Sequence, residues 1–239
     1  MTTVRTHSDV VAAVRKAQWL AGVDESTIET IASNARIRRY PVDSYVFAIG
    51  DPCEDVYGVL SGRVRIKLTS EAGQEFAIID QTENAWFGEF AIPDGTNTRN
   101  LDAQTIEEAD VVVVPAGVIR DAASKNPIIY QQMIGKVIND SRGIYQLLSW
   151  LSFYPLRSRL ARRLVMLAND HGQENELGTV IELKMSQSDF ALLSLGSRQR
   201  VNMILSEWRE RGIVDKRSAR YVILDIDALK REVDVEDDD

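Results

Sequence analysis

Two groups of residues in this chain have types and spacing suited to the chemistry of nucleotides. The first is Ser197-Arg198-Gln199-Arg200-Val201-Asn202-Met203. Arg and Gln side chains on one turn of a helix can make paired hydrogen bonds to guanine and adenine edges in a major groove. A little further on, Lys216, Arg217 and Arg220 fall within one polar stretch, where cations would grip phosphates and fix register without reading sequence. The second group is Phe87-Gly88-Glu89, followed ten residues beyond Glu89 by Arg99. Backbone amides beside a Gly, together with a guanidinium, make a cradle for a phosphate, and a nearby carboxylate can accept from a sugar hydroxyl. An ordinary surface Arg–Glu pair is the commoner meaning of the same residues.

The first group needs a helix to present it, and the surrounding residues supply one. Residues 186–202 read as two short helices joined by a tight turn. Ser197 is a good N-cap, since its side-chain oxygen can satisfy an orphan backbone donor. Val201, Ile204, Leu205 and Trp208 then recur at i, i+3, i+4 and i+7, which makes one buried stripe. Arg198, Gln199, Asn202 and Met203 are left facing outward. A pair of surface helices with a solvated charged face is the alternative. The turn is unusual, because Leu195 precedes Gly196 and the Gly stands one place late. Gly212 closes the second helix as a left-handed cap. Ile213-Val214 and Tyr221-Val222-Ile223-Leu224 read as two strands around a polar turn, residues 215–220, with Lys216, Arg217 and Arg220 at its tip.

The second group sits among short β-rich runs. Tyr45 to Ile49, Val56 to Leu60, Val64 to Leu68, Phe76 to Ile79 and Val111 to Val114 are separated by turn residues such as Gly50-Asp51-Pro52, Ser61-Gly62 and Ala72-Gly73-Gln74. Evenly spaced short strands of this kind predict an antiparallel barrel or roll. Residues 92–98 have the composition of a short helical turn and loop, and amphipathic segments (Val10 to Leu20, Ile28 to Ala35) precede the strands.

A long helix links the two regions. Tyr130, Ile134, Val137, Ser141, Ile144, Leu148 and Leu151 alternate in steps of four and three, the spacing of a two-stranded coiled-coil seam. The same stripe could instead pack on the chain's own roll. Phe153-Tyr154-Pro155 marks a hinge, because Pro restrains the residue before it and commonly begins a new helix.

Bulk properties bound the reading. At 239 residues the chain suits one large or two modest domains. The net charge is -8, yet residues 151–224 hold 12 Lys or Arg against 8 Asp or Glu, a net of +4, so the basic patch is local. The acidic tail, residues 232–239, reads as a disordered, solvated end. No apolar run reaches the length of a membrane span, and no signal peptide is visible. Cys53 is the single cysteine, so a cluster held by several thiolates is excluded within one chain and a reducing cytoplasm is the expected setting. His7 and His171 lie far apart in what read as flexible or loop segments, so neither haem nor zinc is expected. No catalytic Ser-His-Asp or Cys-His arrangement is seen, and no metal site; nothing asks for an enzyme.

The order of strand-rich roll, Phe87-Gly88-Glu89, Arg99-Asn100, long helix and Ser197-Arg198-Gln199-Arg200-Val201 resembles the CRP/FNR superfamily of bacterial transcription regulators. Gly58-Val59-Leu60-Ser61-Gly62 and Leu156-Arg157-Ser158-Arg159-Leu160-Ala161 agree. The resemblance runs from about Leu20 to Leu224 and implies an α+β fold. A cyclic-nucleotide-binding β-roll with N-terminal helices would occupy residues 1–126, a long dimerisation helix 127–152, and a winged helix-turn-helix 153–231. It implies that Gly88 and Glu89 meet a cyclic phosphate and ribose and that Arg99 pairs with the phosphate. Asn100 stands where cyclic-AMP-responsive members commonly have Ser, and Ile144-Tyr145 where an adenine-contacting Thr-Ser pair would fall. The phosphate half of a nucleotide site is therefore present and the base-reading half is altered. Arg198 matches a guanine-reading Arg, Gln199 falls where many members carry Glu, and Met203 where some carry another Arg, so a distinct operator is expected. Ser197, Arg200, Asn202, Lys216, Arg217 and Arg220 complete the implied DNA surface. Ile134, Val137, Ser141, Ile144, Leu148 and Leu151 would form a homodimer seam, setting two recognition helices on a palindromic operator, with RNA polymerase as a further partner. Two other readings remain open: a regulator with a vestigial pocket, and a nucleotide-sensing signalling module without DNA binding.

Overall fold

The computed structural model describes residues 5–92 and 98–234. Contacts divide the chain into two compact units, one of residues 1–74 with 78–142 and one of residues 75–77 with 143–239. The division falls inside the long helix, not at its ends.

In the first unit, α1 (His7–Lys16) and α2 (Glu25–Ser33) precede a six-stranded sheet. Its strands are β1 (Arg36–Tyr40), β2 (Tyr45–Phe47), β3 (Asp55–Thr69), β4 (Glu75–Gln81), β5 (Trp86–Phe87) and β6 (Asp102–Pro115). The order is β1-β6-β3-β4, with β2 pairing β6 and β5 pairing β3. Then come α3 (Ala116–Lys125) and α4 (Ile128–Phe153). The run Val111–Val114 is buried on both faces of β6, which is why it reads as a continuous apolar stretch and not as an alternation. Val111 and Val113 pack inside the roll with Phe47, Tyr57 and Phe87, while Val112 and Val114 pack outside it with α1, α2 and α3.

The sequence predicts a turn at Ser61-Gly62 between two strands, and the structure corrects this. Residues 55–69 are one strand whose pairing with β6 shifts register between Val59 and Val64. Tyr57 and Val59 face the interior before the irregularity, Val64 and Ile66 after it. An odd-numbered inside face has become an even-numbered one across three successive register shifts, over which β3 advances five residues (59 to 64) and β6 six (111 to 105). Gly62 allows it: its φ is +81°, and a Cβ there would lie 2.0 Å from the Glu108 carbonyl oxygen.

The second unit contains α5 (Leu156–His171), β7 (Gly172–Asn175), β8 (Gly178–Ile181), α6 (Gln187–Ser194), α7 (Arg198–Glu210), β9 (Val214–Arg217), β10 (Arg220–Ile223) and α8 (Ile226–Arg231). Its core joins Leu160, Leu164, Phe190, Val201, Leu205, Trp208 and Leu229. The predicted wing is part of a four-stranded antiparallel sheet ordered β7-β8-β10-β9. Its turn is two residues, not six: Ser218 and Ala219 both have positive φ, the backbone that continues the right-handed twist of a hairpin.

Three further expectations are corrected. Glu232–Asp234 form a short 3-10 helix and Glu232 is buried, so the predicted tail at 232–239 is ordered at its start; residues 235–239 lie outside the described residues. His7 and His171 are the first residue of α1 and the last of α5, not loop positions. The predicted turn and loop at residues 92–98 lies mostly outside the described residues, while Glu89–Ala91 form a 3-10 turn. Among the described residues no helix is long and apolar enough to cross a membrane.

Candidate functional site

The helix pair forms because each helix is capped by its own sequence. The Ser186 hydroxyl accepts from the Asp189 amide while the Asp189 carboxylate accepts from the Ser186 amide, a reciprocal box that satisfies two orphan donors. At α7 the Ser197 hydroxyl accepts from the Arg200 amide at 3.2 Å. Ser197, named above for DNA contact, thus has a structural task as well. Val201, Leu205 and Trp208 are buried and Ile204 is half-buried. Arg198, Gln199, Arg200, Asn202 and Met203 are all exposed on the same turns. The Asn202 amide oxygen accepts from the Gln187 side chain, which brings Gln187 of α6 to this surface.

The displaced glycine has a physical explanation. Leu195, not Gly196, takes the left-handed conformation of the turn, with φ 49° and ψ 56°. A Cβ on Gly196 would lie 2.5 Å from Leu156 Cδ1, so the Gly is required by the close passage of α5. Arg159 donates to the carbonyl oxygens of Ser194 at 2.9 Å, Leu195 at 3.2 Å and Tyr154 at 2.8 Å. It supplies donors to carbonyls that the end of α6 leaves without helical partners.

The predicted cations of the wing flank its tip and two are already engaged. Arg217 pairs with Asp215 at 2.9 Å. Arg220 donates to the Glu182 carbonyl oxygen at 2.9 Å and lies 3.5 Å from its carboxylate. The Lys216 ammonium stands 5.1 Å over the Tyr221 ring. Bonds from the Arg217 side chain and the Lys216 amide hold the Asp215 carboxyl below its ordinary value. Arg157 bonds both Glu207 of α7 and Glu232, and Arg211 bonds the same two carboxylates at 3.1 and 2.7 Å. The Arg157 hydrogen bond holds Glu207 below its usual range. Burial would raise Glu232, but the bonds from Arg157 and Arg211 outweigh it and its pKa is lowered.

In the roll, Gly88 has φ +88°, and a Cβ would meet Tyr57 Cδ2 at 3.0 Å and Arg99 Nη1 at 3.2 Å. Only Gly lets the guanidinium come so close. Arg99 is 5% exposed and donates to the carbonyl oxygens of Gly88 at 3.2 Å and Asp55 at 2.5 Å. Its guanidinium lies 4.3 Å from the Phe47 ring centroid and 5.5 Å from that of Tyr57. Burial is the main reason the Tyr57 phenol is pushed up to about 12, against the lowering effect of Arg99. Arg99 Nε is buried without a hydrogen-bond partner. An unpartnered donor on a buried cation suits an incoming anion, so the residues fit a phosphate. Glu89 is engaged differently: its carboxylate lies 2.7 Å from the Lys136 ammonium of α4, which also bonds Asp140 at 2.6 Å. Burial disfavours the charged Lys136, but Glu89 and Asp140 outweigh it and raise its pKa. Asn100 is exposed.

On α4, Ile134, Ile144 and Leu148 are exposed, at 60%, 49% and 59%, and Val137, Ser141 and Leu151 are half-buried. Ile138 and Tyr145 are exposed on the same helix. The Ser141 hydroxyl donates to the Val137 carbonyl.

Residues 37–126 match the family described as the cyclic nucleotide-binding domain, and residues 158–232 match the Crp-like helix-turn-helix domain. The chain belongs to the CRP/FNR superfamily. It is 27% identical over 210 residues to the CRP-like cAMP-activated global transcriptional regulator of Mycobacterium tuberculosis, covering 88% of this chain and 93% of that one. It is 26% identical over 198 residues to a global nitrogen regulator of Nostoc, covering 82% and 85%. Among solved structures, FixK2 from Bradyrhizobium japonicum superposes with a TM-score of 0.75 at 18% identity, covering 85% of this chain and 99% of that one. The c-di-GMP responsive regulator CLP of Xanthomonas campestris gives 0.73 at 22%, covering 84% and 100%. This CRP-type regulator therefore carries the family's DNA-binding and effector domains in the family's order.

Sequence reasoning assigned no individual role to Lys136, Arg159, Gln187 or Glu232. Lys136 and Asp140 do have the i, i+4 spacing of a helical ion pair, the one local signal among them. The partners of the other three are set by tertiary packing.

Proposed function

We propose that this regulator binds a two-fold symmetric DNA operator as a homodimer and responds to a small phosphate-bearing effector in the roll, a cyclic nucleotide being the leading class. The observation that carries the DNA reading is the division of α7, with Val201, Leu205 and Trp208 buried and Arg198, Gln199, Arg200 and Met203 exposed on the same turns. Arg198 reads a base edge, Gln199 a second one, and Arg200, Lys216, Arg217 and Arg220 contact phosphates. Ile134, Val137, Ser141, Ile144, Leu148 and Leu151 form the dimer seam, and RNA polymerase is the protein partner that the family implies. The effector reading is supported by Gly88 and the orphaned Arg99 donor, and by the name of the Mycobacterium tuberculosis relative as cAMP-activated.

The test selects an operator from a random duplex pool and measures binding of wild type and Arg198→Ala by fluorescence anisotropy. A bidentate contact is worth about 1–3 kcal/mol of discrimination, so the variant is expected to lose most of its preference for the selected site. Unchanged preference would refute the readout. Titration calorimetry with cyclic AMP and cyclic GMP on wild type and Arg99→Ala tests the effector.

A second reading, an effector-independent regulator, is favoured by one feature: Arg99 and Glu89 already have partners, in the carbonyls of Gly88 and Asp55 and the Lys136 ammonium. Absence of heat with either nucleotide supports it.

A further inference from the structure

Lys136 belongs to no part of the DNA surface or the dimer seam, yet its ammonium bridges two carboxylates at 2.6 and 2.7 Å. The Glu89 side chain is only 13% exposed, against 46% for Asp140. The Glu89 bond is therefore the more sheltered of the two, joining the 3-10 turn of the roll to α4. If Glu89 were taken by a ligand, Lys136 would keep Asp140, one helical turn away on its own helix. A cation with a second carboxylate in place can exchange partners without becoming a buried unpaired charge, the event that makes breaking such pairs costly.

We infer that Lys136 competes with the effector for Glu89, holding α4 to the roll until a ligand hydroxyl displaces it, and so sets which ligands the site can accept. This rests on the reading that Glu89 receives a sugar hydroxyl. A hydrogen bond from an ammonium to a carboxylate is stronger than one from a neutral hydroxyl. A hydroxyl arriving at Glu89 consequently gains little net, and the anion bound by Arg99 must supply most of the affinity. Ile129 and Met133 bury the start of α4 in the helical core independently of Lys136, so the place of α4 does not rest on this ion pair alone.

The experiment measures binding of cyclic AMP and 2′-deoxy cyclic AMP to the full chain by calorimetry, for wild type, Lys136→Gln, Lys136→Met and Lys136→Arg, each also with Arg99→Ala. Circular dichroism checks the fold of each variant. In wild type the two nucleotides are expected to bind within about twofold of each other. In Lys136→Gln and Lys136→Met, cyclic AMP should tighten on the order of tenfold and the deoxy form should not. Lys136→Arg should restore the wild-type ratio, and Arg99→Ala should abolish binding throughout. Binding by the Gln and Met variants alone would also support the competition. Equal affinity and equal ratio in wild type and both variants would overturn it while leaving the effector reading intact. No binding by any of them would overturn both.

Discussion

Leu195 is a branched residue in the conformation that glycine fills most easily, and its neighbour Gly196 is a glycine for a different reason. A non-Gly residue in left-handed geometry costs about 1–2 kcal/mol, partly offset by the extra freedom Gly loses on folding. Leu195→Gly is expected to stabilise the helix-turn-helix unit by roughly 0.5–1 kcal/mol, read as a higher thermal midpoint with operator affinity unchanged. Gly196→Ala should do the reverse, by about 1–3 kcal/mol, because the added methyl meets Leu156. Tyr57 makes a second case at this scale. Its folded pKa is about 12 against an ordinary 10, so the stability it contributes is present below pH 10 and lost as pH rises toward 12. Tyr57→Phe should flatten that alkaline fall, monitored by fluorescence and by tyrosinate absorbance. A fall identical in the variant would rule the assignment out.

Between elements, the tie among α5, α7 and the last 3-10 turn depends on two arginines and two carboxylates. Glu207 and Glu232 both titrate below their ordinary values in the folded chain. Their contribution to stability is therefore present above about pH 4.5 and disappears as pH falls through the lowered values. Thermal unfolding followed from pH 6 to pH 3 should show the midpoint dropping more steeply in wild type than in Glu232→Gln. At pH 7 that variant should be destabilised by roughly 1–3 kcal/mol, since Arg157 and Arg211 lose a charged partner. A Gln variant as stable as wild type at pH 7 would show that the buried carboxylate does not hold α7 in place. The bulge in β3 works at the same scale. The register shifts between Val59 and Val64 turn Val64 and Ile66 inward, without which Arg63, Arg65 and Lys67 would face the roll interior.

For the whole molecule, the exposed apolar face of α4 carries the expectation of a dimer. Leu148→Glu is expected to give a monomer by sedimentation and to weaken operator binding by at least tenfold, because one half-site supplies only half of the phosphate and base contacts. A dimeric Leu148→Glu protein would place the interface elsewhere. Much at this scale is legible in the chain. The order of roll, long helix and helix-turn-helix and the outward Arg198 and Gln199 follow from local rules, since apolar period, capping chemistry and glycine position act over a few residues; Gly88, Glu89 and Arg99 stand apart from an ordinary surface ion pair only through the family resemblance. Local charge is legible too, since the basic stretch 151–224 stands apart from an overall charge of -8. What only the tertiary structure decided are pairings between residues far apart in sequence. Lys136 meets Glu89 across 47 residues and Arg157 meets Glu232 across 75. Gly196 is explained by Leu156, and the bulge at Gly62 by the backbone of Glu108. No period or spacing encodes such encounters, because they are set by which side chains the packed elements bring within reach. The sequence by itself therefore determined the kind of machine, and the packing decided which of its charged residues arrive already occupied.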